Sequence, residues 1–528
     1  MSEGRAVPWW KSAVIYQIYP RSFCDSNGDG IGDIPGIISK LDYLAWLGVD
    51  AVWLSPFYPS PMTDFGYDIV DYTNVDPVFG TIDDFDRLLI EAHKRDIRVL
   101  IDWVPNHTSD QHPWFLESRS NRKSPKREWY IWYDPASDGG PPNSWLSRFG
   151  HGKSAWTWDA QTRQYYLHSF SPWQPDLNWD NPHVVEAMHK TLRFWLNRGA
   201  DGFRIDSIPQ LSKPEVAVPV GQLAGDEHGL VKKRPTVYDH LRGIRRVLET
   251  YRDRVAVGEV TVRDQSKLVE YLNSADGLHL AHNFVLMHQP WGAANFRRTV
   301  DELESLIKAD AWPCWFLNNH DQSRVASRYD SHGRGAARAR VAALTLLTLR
   351  GTPFLYQGEE LGLTDVFVPE ELATDLNGRD PQRAPIPWGP PSQAGPGAGF
   401  TSCQAPWLPI SPGAEQLNAK SQAEDLHSIL CLYRDILEMR RRSPALRLGR
   451  YESQETNPEV FGYIRSYGEE RLLIISNFSN RRIERPLTDP SSIGRASIVL
   501  STAGNLSRDV DVAGLALGPE EGIVLRLR

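Results

Sequence analysis

Cysteine is scarce. The 528 residues hold four (Cys24, Cys314, Cys403 and Cys431), scattered and without a C-x-x-C pair. In a chain of this size such usage argues against a disulfide-stapled scaffold and for reduced thiols. A basic excess is missing too: the net charge is −8 and the pI about 6.0, which leaves no positive stripe for nucleic acid. Long hydrophobic runs are also absent. The longest, residues 341–349, is interrupted by Thr and flanked by Arg340 and Arg350, too short to span a bilayer. The opening Met1-Ser-Glu-Gly-Arg5 has no apolar core of a secretory signal. The expectation is a cytoplasmic chain with small-molecule substrates and neither a membrane nor a nucleic-acid partner. Its oligomeric state is not legible.

Aromatic residues are plentiful, with 19 Trp among them. Aromatic faces stack on sugar rings, although most Trp in any protein serve packing. The stronger signal is a β/α rhythm. Apolar, β-rich runs at 14–19, 51–55, 98–102, 202–205, 255–258, 314–317 and 353–356 read as strands. Stretches with helical spacing of apolar residues, 84–93, 184–196, 238–250, 296–307 and 336–349, precede many of them. That alternation predicts an α/β protein, a parallel (β/α)8 TIM barrel. Residues 106–173, rich in Trp, Tyr, Pro and Ser, break the rhythm and are too long for a bare loop. They are expected to form an inserted subdomain after the third strand. The barrel then takes 1–105 and 174–450, with a Pro/Gly-rich insertion at about 369–412. A helix is expected over 421–441. Strand-like runs at 461–467, 471–476, 496–500 and 522–526 predict a C-terminal antiparallel β-sandwich domain over 451–528.

Functional side chains recur where predicted strands end: Asp102-Trp-Val-Pro-Asn-His107, Gly202-Phe-Arg-Ile-Asp206, Gly258-Glu259 and Asn318-Asn-His320-Asp321. Strand ends of a β/α barrel converge on one face. A retaining glycosidase needs an ionised nucleophile and a protonated acid about 5–5.5 Å apart. Arg204 lies two residues before Asp206, on the same side of the strand, and is expected to keep Asp206 ionised. Glu259 follows an apolar strand, where dryness raises a carboxyl pKa and suits a general acid. Asp321 supplies a third carboxylate to hold hydroxyls.

With these motifs, and with Tyr16-Gln-Ile-Tyr-Pro-Arg-Ser-Phe23 and Gln174-Pro-Asp-Leu-Asn178, the chain resembles the α-amylase family of glycoside hydrolases, family 13. The likeness is to its α-glucosidase and oligo-1,6-glucosidase branch and spans nearly the whole chain. The resemblance implies Asp206 as nucleophile, Glu259 as acid/base and Asp321 as transition-state stabiliser. It implies that Asp64, Tyr67, His107, Arg204 and His320 hold a terminal glucosyl unit, with Phe170 and Gln174 nearby. Arg379 would pair with Asp64 to close the pocket. The activity implied is release of α-glucose from short α-glucosides, with transfer to other acceptors competing with water. A transferase or isomerase of the same family, of trehalose synthase or sucrose isomerase type, would share these residues. A non-catalytic sugar-binding or transporter-associated domain would lack the acid.

Asp25-Ser-Asn27-Gly-Asp29-Gly-Ile31-Gly-Asp33 places oxygen donors at alternate positions around glycines, like the start of a hard-cation loop. Position twelve is Gly36 rather than Glu, so it is not an EF-hand. The resemblance implies a structural Ca²⁺ (or Mg²⁺) held by Asp25, Asn27, Asp29, the Ile31 carbonyl and Asp33. The segment from His107 to His112 lacks H-E-x-x-H zinc spacing, and no G-K-[ST] follows Gly28 to Gly32. The likeness thins on the leaving-group side. Ser207 follows the nucleophile, where Val goes with α-1,6 preference in this branch, so α-1,4 or mixed linkage is expected. His151, Lys153 and Arg383-Ala-Pro-Ile-Pro-Trp388 also depart from the branch's pattern. The connection from Asp206 to Glu259 is short for the branch, which is expected to open the acceptor side.

Overall fold

Short strands, each buried along its length, carry the site. The computed structural model describes residues 7–149, 152–214, 234–273, 276–490, 493–504 and 508–528. The first three strands are β1 (Ile15–Ile18), β2 (Ala51–Leu54) and β3 (Arg98–Trp103). Three more, β4 (Trp132–Tyr133), β5 (Trp156–Asp159) and β6 (Gln164–Leu167), pair antiparallel in the inserted segment. Then come β7 (Gly202–Ile205), β8 (Val255–Gly258), β9 (Leu280–Ala281), β10 (Cys314–Trp315) and β11 (Thr352–Tyr356). The eight outside the insert form one parallel sheet in the order β10-β11-β1-β2-β3-β7-β8-β9. Its two ends meet through side chains. Leu280, Cys314 and Phe316 share a buried cluster with Ile15, Trp53, Leu100, Val257 and Phe354, filling the barrel interior. Strand β9, two residues long, is the barrel strand that the periodicity of the sequence does not reveal.

Local chemistry sets the helix ends. Thr81 and Asp84 form a capping box at the start of the helix Ile82–His93. Asn181 caps Pro182–Arg198, which stops at left-handed Gly199. The helix expected over 421–441 is two, Ala419–Glu424 and Ile429–Arg442. Asp425 turns the chain by accepting the His427 N–H, and Ser428 caps the second helix through the Cys431 N–H. These local bonds compete with a continuous helix. No described helix is long and apolar enough to cross a membrane.

The C-terminal strands are β12 (Arg450–Ser453), β13 (Val460–Tyr467), β14 (Glu470–Asn477), β15 (Arg495–Ser501), β16 (Arg508–Asp511) and β17 (Gly522–Leu527). In place of the expected sandwich, the described residues form a single six-stranded antiparallel sheet ordered β12-β13-β14-β17-β15-β16. Its alternating side chains explain the difference. Tyr463, Leu472, Ile474 and Val524 join the main core with Leu344 and Leu347 of a barrel helix. Ile464, Leu473, Ile475 and Leu525 face Ile483, Leu515 and Leu517. This second layer is loop and one short turn, joined by the isolated bridges Ile483 to Leu517 and Thr456 to Leu487. The unforeseen edge strands β12 and β16 are polar, as edges that avoid aggregation are.

Two buried arginines weld this sheet and the helix Ile429–Arg442 to the barrel. Arg440 donates to the Leu347 and Gly351 carbonyls at 2.9 and 2.6 Å. Arg465, on β13, donates to Thr348 and Gly449 carbonyls at 2.6 and 3.0 Å. Both satisfy carbonyls at or just beyond the end of the helix Gly335–Thr348, where the dipole favours a cation. Replacing Arg465 with Met should strip these bonds and leave buried carbonyls unpaired, costing about 2–4 kcal/mol. Thermal denaturation should show a lower Tm with kcat of the folded enzyme unchanged; an unaltered Tm would refute the weld.

Candidate active site

Strand register brings the carboxylates together. Asp102 pairs with Arg204 across β3 and β7, and Ile205 pairs with Gly258 across β7 and β8. The next residues, Asp206 and Glu259, therefore leave adjacent strand ends side by side. Neighbouring strands lie about 4.8 Å apart, so register alone suits the carboxyl spacing of a retaining pair. Gly202 permits this closeness, since a Cβ there would sit 2.3 Å from the Val255 carbonyl oxygen.

Arg204, 1% exposed, ties the group. Its Nη1 reaches Asp102 at 2.8 Å and Asp206 at 2.7 Å, and its Nη2 reaches Glu259 at 2.8 Å. A relay continues from Asp102, which accepts the Tyr67 hydroxyl at 3.0 Å. Tyr67 also bonds His320 Nε2 at 2.9 Å, and Gln17 donates to His320 Nδ1 at 2.8 Å. The Gln17 bond fixes the proton of neutral His320 on Nε2. Tyr67 and His320 stack with rings 2° from parallel.

A second cluster closes the far wall. Arg379 bonds Asp64 at 2.6 Å and Asp321 at 3.1 Å while gripping Asp375 through Nε at 3.0 Å. Arg383 adds a bond to Asp321 at 3.0 Å and one to the His320 carbonyl at 2.8 Å. Gln174 donates to Asp64 at 2.8 Å. His107 bonds the Tyr67 carbonyl at 3.1 Å, and Asn106 donates to its other ring nitrogen at 3.1 Å. Asp64, Tyr67, His107, Phe170, Arg379 and the three proposed catalytic acids line one cavity of about 470 Å³. Gln174, Arg204 and His320 are buried behind that lining and brace it.

The family model for "Alpha amylase, catalytic domain" matches residues 17–449. The chain belongs to the α-amylase family of glycoside hydrolases, family 13. Within it the chain falls in the α-glucosidase and oligo-1,6-glucosidase branch, and it is an enzyme of α-glucosidase type. It is 42% identical to a probable α-glucosidase of Rhizobium meliloti (strain 1021), covering 91% of each chain. It is 37% identical to an oligo-1,6-glucosidase of Parageobacillus thermoglucosidasius, covering 98% of this chain and 99% of the other. The solved structure of XgtA, an alpha-glucosyl transfer enzyme, is 40% identical with a TM-score of 0.86, over 99% of this chain and 100% of that one.

The charges of this family-13 site differ from the sequence expectation in one respect. Arg204 was expected to hold Asp206 low; burial instead pushes its carboxyl above the usual value, with Arg204 opposing and Asp102 adding. Burial likewise pushes Glu259 up to about 7, opposed by Arg204 and reinforced by Asp206. Their mutual contact lowers Asp206 and raises Glu259, so the shared proton rests on Glu259. Asp321 is the opposite case. Burial would raise it, but its neighbours hold it well below the carboxylate range. His320 is pushed by burial down to about 3, so near neutral pH Arg379, Arg383 and Arg204 do that work.

Asp375 and Arg383 in the wall, and Asp102 beneath the pair, are site residues that sequence reasoning missed. Asp102 stood in a quoted strand-end motif; Asp375 lies in a Pro/Gly-rich stretch without periodicity. The Trp excess serves packing: Trp53, Trp103, Trp179, Trp195 and Trp315 are buried, and Tyr67, Phe149, Phe170 and Phe284 supply the cavity's aromatic faces. His112 is an N-cap, accepting the Trp114 N–H at 3.0 Å. His151, and much of the connection from Asp206 to Glu259, lie outside the described residues.

The 25–33 loop has the donor chemistry of a hard-cation site, but as folded it is tied by its own bonds. Asp25 accepts the N–H groups of Asn27, Gly28 and Gly30 at 2.9, 2.7 and 2.8 Å, and the Thr401 hydroxyl. Asp33 accepts Gly36 and Ser26 N–H groups at 2.6 and 3.0 Å. Among the described residues no three His, Cys, Asp or Glu side chains gather as a metal site.

If Glu259 is the acid and Asp206 the nucleophile, the first must be protonated and the second ionised. The kcat/KM profile should therefore fall as pH rises through about 7, where Glu259 loses its proton. Its acid limb should lie above the ordinary aspartate value, because Asp206 is raised. A profile flat between about pH 6 and 9 would contradict this assignment.

Proposed function

We propose that the protein is a retaining, exo-acting α-glucosidase that releases α-glucose from the non-reducing end of short α-glucosides. The observation that carries this reading is the side-by-side pair Asp206 and Glu259 on adjacent strand ends, where burial raises the Glu259 carboxyl. Asp206 attacks the anomeric carbon while Glu259 protonates the departing oxygen, giving a β-glucosyl ester. Glu259, now a base, takes a proton from water, which displaces Asp206 and restores the α-configuration. Asp321, kept ionised by Arg379 and Arg383, accepts hydroxyls of the distorted sugar. The Arg379–Asp64 bridge supports exo-action, because an ion pair in the cavity wall would block a longer chain from running through.

Transfer to a second sugar or alcohol is the competing outcome at the second step. Apolar lining from Phe149, Val262 and Phe284 and the similarity to XgtA favour it as a side activity. Ser207 beside the nucleophile supports α-1,4 or mixed linkage. Proton NMR with maltose and isomaltose in parallel should show free glucose with an early excess of the α-anomer over its equilibrium share, since the reducing-end unit leaves as mixed anomers. An early excess of β-glucose over that share would refute retention, and new disaccharide without free glucose would make the enzyme a transferase or isomerase.

We further propose a cytoplasmic setting, supported by four cysteines without a disulfide, and a structural Ca²⁺ or Mg²⁺ at the 25–33 loop. Asp25, Asn27, Asp29, the Ile31 carbonyl and Asp33 would hold the ion, which would brace the loop and take no part in the chemistry. The support is the all-oxygen donor set. Chelator should lower Tm more than it lowers kcat, and added Ca²⁺ should restore it; an unchanged melting curve would remove the ion.

A further inference from the structure

Arg148 lines the catalytic cavity from the inserted segment, yet it holds none of the wall carboxylates. Its guanidinium carbon lies over Phe170, 5.6 Å from the ring centre, and its backbone N–H donates to the Ser169 carbonyl at 2.9 Å. The guanidinium points at the turn that follows β7. There Nη2 and Nη1 donate to the Gln210 side-chain oxygen at 2.8 and 3.1 Å, and the Gln210 amide donates to the Ser207 carbonyl at 2.9 Å. The amide orientation is the one its partners require. The Gln210 backbone N–H reaches the same carbonyl at 3.0 Å.

Ser207 is worth bracing. Its φ is +46°, a left-handed conformation that strains a residue with a Cβ. That conformation aims the Ser207 N–H at Glu259 Oε2, 2.9 Å away. A second clasp lies alongside. Lys213 pairs with Asp176 at 2.8 Å and donates to Asn106 and to the Gln210 carbonyl. Asn106 in turn holds the ring of His107. Arg148 thus fastens the turn after β7 to the inserted segment, and Lys213 ties the same turn to Asn106 and Asp176 beside that segment's two ends.

We propose that Arg148 is a positioning residue for proton transfer. It braces Gln210 and Ser207 from the inserted segment, and through the Ser207 N–H it fixes the Glu259 carboxyl. The proposal rests on Glu259 acting as general acid. Without the guanidinium, Gln210 releases the Ser207 carbonyl, the strained turn relaxes, and the Glu259 carboxyl loses its backbone donor.

Leaving-group dependence separates this role from general damage. A sugar alkoxide cannot depart unprotonated, whereas para-nitrophenolate departs with little help from an acid. In Arg148→Met, kcat/KM for maltose or isomaltose, whichever the wild type cleaves, should fall about 10- to 100-fold. For para-nitrophenyl α-glucoside it should fall by less than about threefold. Gln210→Leu should reproduce the split, and Arg148→Lys should recover part of the disaccharide activity. Equal loss on both substrates, or no loss on either, in folded Arg148→Met and Gln210→Leu would overturn the proposal. Wild type that releases no glucose from any of the three substrates would overturn the glucosidase reading instead.

Discussion

One buried cation makes three carboxylates tolerable at the mouth of this barrel. Arg204 bonds Asp102, Asp206 and Glu259, and the faces of Trp53 and Tyr67 lie 5.2 and 5.8 Å from its guanidinium carbon. Three acids packed without it would repel one another and lose their hydration, a cost of several kcal/mol per ion. Even with it the group is short of positive charge, and a proton on Glu259 is the compensation. The Glu259 carboxyl is therefore raised by the ion balance around Arg204 as well as by its own burial.

The far wall uses the reverse arrangement. Arg379 and Arg383 serve Asp321, with Asp375 and Asp64 as further partners. Cations are in better supply there, so Asp321 stays ionised while Glu259 does not. Two environments on one barrel face thus give chemically identical groups different roles. The first is built on strands and the second on loops, which places the reacting pair on the stiffer part of the fold.

The inserted segment is more than a cover. Through Arg148 it fastens the turn after β7, and through Phe170 it lines the cavity; just past its end, Asp176 with Lys213 and Gln174 with Asp64 add to both. Its three strands are short, and aromatic packing such as Phe115 against Tyr130 and Tyr166 holds it together.

The sequence by itself determined the barrel and set Asp206 and Glu259 at the ends of its strands. Seven apolar runs alternate with amphipathic stretches, and a carboxylate that follows a strand can only emerge at its C-terminal end. Arg204 and Asp206 share a side by the two-residue period of a strand, which made their contact legible. Tertiary structure decided the rest. Strand β9 has too few residues to show a period. The bond from Arg379 to Asp64 spans 315 positions, and Asp375 has no pattern to announce it. The C-terminal strands alternate as those of a sandwich would, yet loops rather than a second sheet cover one face. The raised carboxyl of Asp206 was missed because spacing reveals a neighbouring charge but not how much water the assembled fold excludes around it.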